Sequence, residues 1–176
     1  MKRALASALL ALAMAVPAAH AQDAAEGSQD APLSAEQVAA LDHDFNTAVQ
    51  AARDSLPVFW QRLASSPDSG PDTFGLKVTF KSPRGGNEEV WLQDVKRDGA
   101  RIVGRLNYDP QALPRLHRND IVPIREADII DWSFKEGRKR YGEFTTRVLA
   151  KIHPAESAKT MATLSDNPLP MDARGK

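Results

Sequence analysis

Behind Ser34, apolar residues recur at helical spacing. Val38, Leu41, Phe45, Ala48, Val49 and Ala52 share one face, with Asp42, Asp44, Asn46, Gln50 and Arg53 mainly opposite, which predicts an amphipathic helix. Its start is marked by Ser34-Ala35-Glu36-Gln37, a capping box in which Ser and Gln satisfy each other's backbone amides. Pro57 lacks an amide hydrogen and crowds the preceding turn, so this helix stops or kinks near Ser55. Ser55 is placed to cap a second, short helix carrying Phe59, Trp60 and Leu63.

After a Pro/Gly-containing loop at 65–73 the period drops to two. Phe74, Leu76, Val78 and Phe80 alternate with Gly75, Lys77, Thr79 and Lys81, predicting a half-buried strand. A turn around Gly85-Gly86 leads to a second strand over 89–96, with Val90, Leu92 and Asp94 on one face and Trp91, Gln93 and Val95 on the other. Asp98-Gly99 then predicts a hairpin turn, because both residues tolerate positive φ. The third strand covers 101–108. Short strands are expected at 121–124, where Pro123 implies a sheet edge, at 129–135, and near Tyr141 after the Glu136-Gly137 turn. Residues 145–152 and 154–164 read as short helices. Helices first and then a run of strands define an α+β fold: N-terminal helices on a curved, mainly antiparallel sheet, closed by short C-terminal helices.

The first 21 residues belong to a different pattern. Lys2 and Arg3 precede an uncharged Ala/Leu-rich run from Ala4 to Val16, and Ala19-His20-Ala21 provides small residues for cleavage. This is the form of a secretory signal peptide, and the run is shorter than the ~20 residues a membrane span needs. Cleavage between Ala21 and Gln22 would leave 155 of 176 residues, placed in the periplasm or outside the cell with no integral membrane segment. Residues 22–33, poor in large apolar side chains, read as a disordered leader. Residues 34–164 are expected to form a single domain and 165–176 a disordered tail.

Composition narrows the chemistry. With no cysteine there is no disulfide framework, thiol nucleophile or Cys-ligated metal, so an exported domain must rely on its core. Twenty-three basic residues balance 23 acidic ones, which argues against nucleic acid as a partner. The balance is a cancellation: 22–72 carries net −7, and 132–153 carries net +4. His43, His117 and His153 are isolated, and Asp42-His43-Asp44 would point different ways on a helix. No GxSxG, SxxK or phosphate-loop motif is present, and nothing implies a metal or cofactor.

Two segments carry candidate binding residues. In Asp128-Ile129-Ile130-Asp131-Trp132-Ser133-Phe134, an extended chain puts Ile130, Trp132 and Phe134 on one face, with Ile129, Asp131 and Ser133 on the other. Asp131 beside Trp132 is able to orient a polar ligand against an indole. Alternatively, Trp132 and Phe134 are core and Asp131 serves a backbone turn. Trp91, opposite Val90 and Leu92, is the more exposed indole. Arg138, Lys139, Arg140 and Tyr141 follow the turn, and the three positive charges at a hairpin tip suit an anionic headgroup or an acidic partner. A solvated turn has the same composition.

The order of several short stretches is also informative. Asn46-Thr47-Ala48 through Arg53 and Ser55-Leu56-Pro57-Val58-Phe59-Trp60 precede Gly75-Leu76-Lys77-Val78 and Glu88-Glu89-Val90-Trp91-Leu92. Val103-Gly104-Arg105-Leu106-Asn107-Tyr108-Asp109-Pro110, Ile130-Asp131-Trp132 and Gly142-Glu143-Phe144-Thr145-Thr146-Arg147 complete the set. Together, over roughly residues 42–152, the chain resembles the YegJ-like family of bacterial proteins, domain of unknown function 2314. The resemblance implies a compact α+β domain and brings no catalytic residues or cofactor. Asn119-Asp120 stands where Gly-Asp is expected, and Asn tolerates the left-handed turn.

The functional expectation is an exported, non-enzymatic binding module for an envelope component or protein partner. The alternative is a small hydrolase using carboxylates near Glu89, Asp94 and Asp131. An immunity protein fits the size without residue-level support.

Overall fold

The computed structural model describes residues 33–174. The predicted export signal, its cut before Gln22 and all of the predicted leader except Leu33 lie outside them. Helix α1 (Ala35–Asp54) starts at its capping box. Ser34 Oγ accepts from the Gln37 amide at 3.2 Å, and the Gln37 side chain accepts from the Ser34 amide at 2.8 Å. Helix α2 (Leu56–Ala64) carries Pro57 in its first turn, where a missing amide hydrogen leaves no helical bond unmade. Ser55 does not cap α2 with its side chain as expected. Its hydroxyl instead donates back to the Ala51 carbonyl at 2.6 Å.

Strands β1 (Phe74–Lys81), β2 (Asn87–Asp98), β3 (Arg101–Leu106), β4 (Ile121–Ile124), β5 (Ile129–Glu136) and β6 (Lys139–Gly142) form one sheet. Their order is β4-β3-β2-β1-β5-β6, with every neighbouring pair antiparallel. The first three strands pair in chain order, as the hairpin signals predict, and β4, after the connection 107–120, adds to β3 at the edge. β5 returns to the free side of β1 and carries β6 as a hairpin. Pro123 lies on edge strand β4, and Asn119 takes φ 75° before it. Helices α3 (Phe144–Leu149) and α4 (Pro154–Thr163) follow the sheet, completing an α+β fold.

The pleat sends Leu76, Val78, Val90, Leu92, Leu106 and Ile124 to one face, where they join Ala52, Phe59, Trp132 and Phe144 in the core. Gly104 is required there by close packing, since a Cβ would stand 2.9 Å from Leu92 Cβ and 3.2 Å from Ile124 Cδ1. Two bulges alter the expected alternation. On β2 the register shifts between Gln93 and Lys96, with Asp94 at φ 48°, so Val95 turns inward and is buried. On β5 the residue paired with Val78 is Ile129 while Lys77 pairs with Asp131, leaving Ile130 as the extra residue. Ile129 therefore joins the Trp132 face, contrary to strict alternation.

The segment expected as a free tail is tied down through Arg174. The Ser165 amide donates to the Arg140 carbonyl at 2.9 Å, and the Gly142 amide donates to the Pro168 carbonyl at 2.8 Å. Leu169 packs on the core, and Arg62 pairs with Asp172 at 2.6 Å. Arg140 and Leu164 form a parallel bridge that covers the β6 edge. Among the described residues, no helix is long and apolar enough to cross a membrane.

Candidate functional site

Asp131 and Trp132 are both fully buried, which is the alternative of a core indole with a turn-bonding carboxylate and not a surface ligand site. The Trp132 indole Nε1 donates to the Ala52 carbonyl at 2.9 Å and to Ser55 Oγ at 3.2 Å, tying β5 to the end of α1. Asp131 accepts from the Trp132, Phe144 and Thr145 amides and from the Thr145 hydroxyl, at 2.7–3.1 Å. It thus supplies from β5 the cap that Glu143, preceding α3, does not give. Burial pushes the Asp131 carboxyl up to about 6, against the pull of the Thr145 and Trp132 donors.

Below this cap lies Lys77, also buried. Its Nζ pairs with Glu89 at 2.8 Å, lies 3.4 Å from Thr145 Oγ1 and sits 5.5 Å from the centre of the Phe45 ring. Asp94 is elsewhere, at the β2 bulge, bound to Arg105 at 2.5 Å and to Lys96 at 3.8 Å. Glu89, Asp94 and Asp131 do not line a common cleft. Each is already engaged, two by cations and Asp131 by four donors.

The basic hairpin does not present a single cationic tip. Arg138 stands exposed in the turn. Lys139 Nζ donates to the Ala162 and Leu164 carbonyls at 3.4 and 3.1 Å, closing the C-terminal end of α4. Tyr141 stacks on Phe134, ring centres 5.4 Å apart, on the core side. Arg140 leaves by the opposite face of the sheet, where a terminal nitrogen donates to Ser133 Oγ at 2.9 Å and the other approaches the Asp72 carbonyl at 3.5 Å.

That face carries the groove in which two predicted residues meet. Trp91 and Arg140 line a cavity of about 330 Å³ with Gly75, Gln93, Tyr108 and Glu143 among its walls. The register explains the meeting: Gly75 pairs with Gln93 on one side and with Ser133 on the other, and Lys77 pairs with Trp91. Gly75 keeps the floor flat, because a Cβ there would lie 3.3 Å from the Leu92 carbonyl oxygen and 3.6 Å from the Trp91 ring. Trp91 is half-buried and Tyr108 is 39% exposed. Burial pushes the Tyr108 phenol above its ordinary value.

The rim near α3 is built on a strained turn. Gly142 and Glu143 both have positive φ, 78° and 58°, and a Cβ on Gly142 would come within 2.1 Å of the Trp132 carbonyl oxygen. The left-handed Glu143 costs on the order of 1 kcal/mol or more; the Asp131 cap and the Glu143 amide's 2.9 Å bond to the Trp132 carbonyl hold it there. Glu143 Oε2 accepts from Thr146 Oγ1 at 2.6 Å. The adjacent Arg147 guanidinium is pulled below its ordinary value by burial, opposed by Glu143, Asp131 and Asp166. Gln93, Tyr108, Ser133, Glu143 and Thr146 were absent from the sequence reading of the site. Gly75, a glycine inside a strand, is the signal that could have pointed to this face.

A larger groove of about 630 Å³ lies between α2 and β2, lined by Trp60, Pro71, Val95 and Arg97. Arg97 lies over the Trp60 ring at 4.4 Å and pairs with Glu126 at 3.1 Å. Its Asp94 is held by Arg105. These charged groups are consumed internally, whereas Arg140 has only neutral partners among the described residues. Among the described residues, no group of three His, Asp or Glu side chains is arranged to hold a metal ion.

The fold and groove define an α+β protein with an antiparallel six-stranded sheet and a polar concavity on one sheet face. The chain belongs to the bacterial family described as "Uncharacterized protein conserved in bacteria (DUF2314)", whose pattern matches residues 42–162. It is 31% identical over 87 residues to the uncharacterized protein YegJ of Escherichia coli strain K12, covering 49% of this chain and 56% of that one. It is also 31% identical over 114 residues to a putative ankyrin repeat protein of Neisseria meningitidis serogroup B, covering 61% and 45%. The chain thus spans about half the length of the curated relatives it matches. No solved structure matches it.

Proposed function

We propose that this is an exported, non-enzymatic binding module that holds a polar component of the cell envelope in the groove between Trp91 and Arg140. The observation that carries the reading is the convergence, over the bare Gly75 floor, of two aromatic rings, amide and hydroxyl side chains, and an arginine that has no counter-ion among the described residues. Concave sites that combine ring faces with a few fixed polar groups suit recognition of small polar ligands. The engaged state of Glu89, Asp94 and Asp131 supports binding over carboxylate hydrolysis. The signal-like first 21 residues support export.

The test is retention of solubilised envelope material on the immobilised protein, wild type against the double variant Trp91→Ala, Arg140→Gln. A component held by the wild type and released by the variant is expected. Equal retention by both proteins would overturn the assignment of this groove.

A further inference from the structure

We infer that the groove recognises a zwitterionic amino-acid or short-peptide group, with the ligand carboxylate on Arg140 and its ammonium on Glu143. The inference rests on the binding-module reading above and names the ligand class of the same groove. Three charged side chains line the cavity: Arg140, Glu143 and Asp72. Arg140 is half-buried, and its hydrogen bonds go to Ser133 Oγ and the Asp72 carbonyl, both neutral. Glu143 is likewise half-buried, and among the described residues the only hydrogen bond to its carboxylate comes from the Thr146 hydroxyl, to one of the two oxygens.

These partners orient the charges without neutralising them; Arg147 lies within electrostatic reach of Glu143, but its guanidinium donates to the Gly142 and Ser165 carbonyls rather than to that carboxylate. Ser133 Oγ fixes one terminal nitrogen of Arg140, leaving the guanidinium free to meet a carboxylate with the strong geometry of a charge-assisted pair. Thr146 occupies Oε2 of Glu143, leaving Oε1 free for an ammonium donor. Arg140 and Glu143 form no ion pair with each other among the described residues, although both line one groove.

The charge pattern discriminates among ligands. A dianion would face Glu143 and the exposed Asp72 as well as Arg140. A simple cation would leave the half-buried guanidinium without a counter-charge. A neutral sugar would leave the partly desolvated Arg140 without a counter-charge and Glu143 with only the nearby Arg147. One carboxylate and one ammonium on the same small molecule answer Arg140 and Glu143 together, while Trp91 and Tyr108 offer ring faces to the intervening atoms.

The experiment is an NMR titration of the 15N-labelled protein with the dipeptide alanyl-alanine at millimolar concentrations. Its N-acetylated form, its C-terminal amide and a neutral disaccharide serve as companion probes. Saturable shifts at Gly75, the Trp91 indole and Thr146 are expected with the dipeptide. Affinity should weaken by about tenfold or more for each blocked form, as loss of a charge-assisted contact requires. Arg140→Gln should erase the preference for the free carboxylate only, and Glu143→Gln the preference for the free ammonium only. A dispersed amide spectrum for each variant verifies folding.

Equal binding of free and blocked dipeptides would overturn the zwitterion inference. So would absence of any dipeptide shift. In either case, release of envelope material by the Trp91→Ala, Arg140→Gln variant would leave the groove itself standing. Saturable disaccharide binding without dipeptide binding would assign the groove to a neutral sugar instead.

Discussion

Replacing Asp131 with Asn separates two opposing forces on one buried carboxyl. Burial raises its proton affinity, and the Thr145 hydroxyl with the Thr145 and Trp132 amides lowers it. Burial prevails, lifting the carboxyl from 3.8 to about 6. At about 1.4 kcal/mol per pKa unit, this rise is worth about 3 kcal/mol. A folded-state pKa above the unfolded one means that folding takes up a proton. The associated stability is fully present below about pH 3.8 and is lost as pH rises through about 6. Asparagine retains one oxygen for the Trp132 and Phe144 amides but turns an NH2 toward the Thr145 amide, a cost of about 1–3 kcal/mol that does not depend on pH. Urea unfolding of both proteins between pH 4 and pH 7 isolates the effect, because the other titrating groups are common to both. The wild-type advantage over Asp131→Asn should shrink by about 2 kcal/mol across that range, the remainder lying below pH 4 where the unfolded carboxyl takes up its proton. An advantage that stays constant would show that the donors cancel burial, one that grows with pH would show that they outweigh it, and either would refute the reasoning.

Other expectations follow from single contacts. Gly142→Ala forces a methyl against the Trp132 carbonyl at a φ of 78° and should cost more than about 3 kcal/mol in chemical denaturation; a loss under about 1 kcal/mol would contradict the close approach. Lys139→Met should destabilise the protein and speed amide exchange in α4, whereas Arg138→Glu should change stability by less than about 0.5 kcal/mol; equal effects would restore the hairpin as one undivided charge cluster. Expressed from its own start in a bacterium, the protein should have a mass corresponding to a chain beginning at Gln22, and recovery of the intact N-terminus would remove the case for export.

Elements governed by local chemistry were legible without coordinates. The Ser34–Gln37 box starts α1, Pro57 marks the passage to α2, Pro123 lies on an edge strand, and Asn119 takes the left-handed turn. What escaped was governed by tertiary contact. Neither bulge has a local marker, since Asp94 adopts φ 48° without being glycine and Ile130 resembles any strand residue. Those two shifts put Val95 and Ile129 into the core. Asp131 could serve a ligand or a backbone turn by sequence, and the α3 amides it caps stayed hidden because the β5–β6 hairpin separates them from it along the chain. The run Arg138-Lys139-Arg140 looked like one patch, but the pleat and the docked C-terminal segment send its members to solvent, to α4 and to the groove. The site was half legible: Trp91 and Arg140 were named, but their meeting over Gly75 depends on sheet order.

The three tryptophans provide a direct readout of the central claim. Trp132 is locked to Ala52 and Ser55, Trp60 lies under Arg97 in the other groove, and Trp91 lines the polar groove. The decisive measurement is the set of three indole N–H signals of the 15N-labelled protein on titration with fractionated envelope material. The account predicts a saturable shift of the Trp91 signal, absent in Arg140→Gln, with Trp60 and Trp132 unchanged. A shift at Trp60 alone, or no shift at any of the three across all fractions, would contradict it.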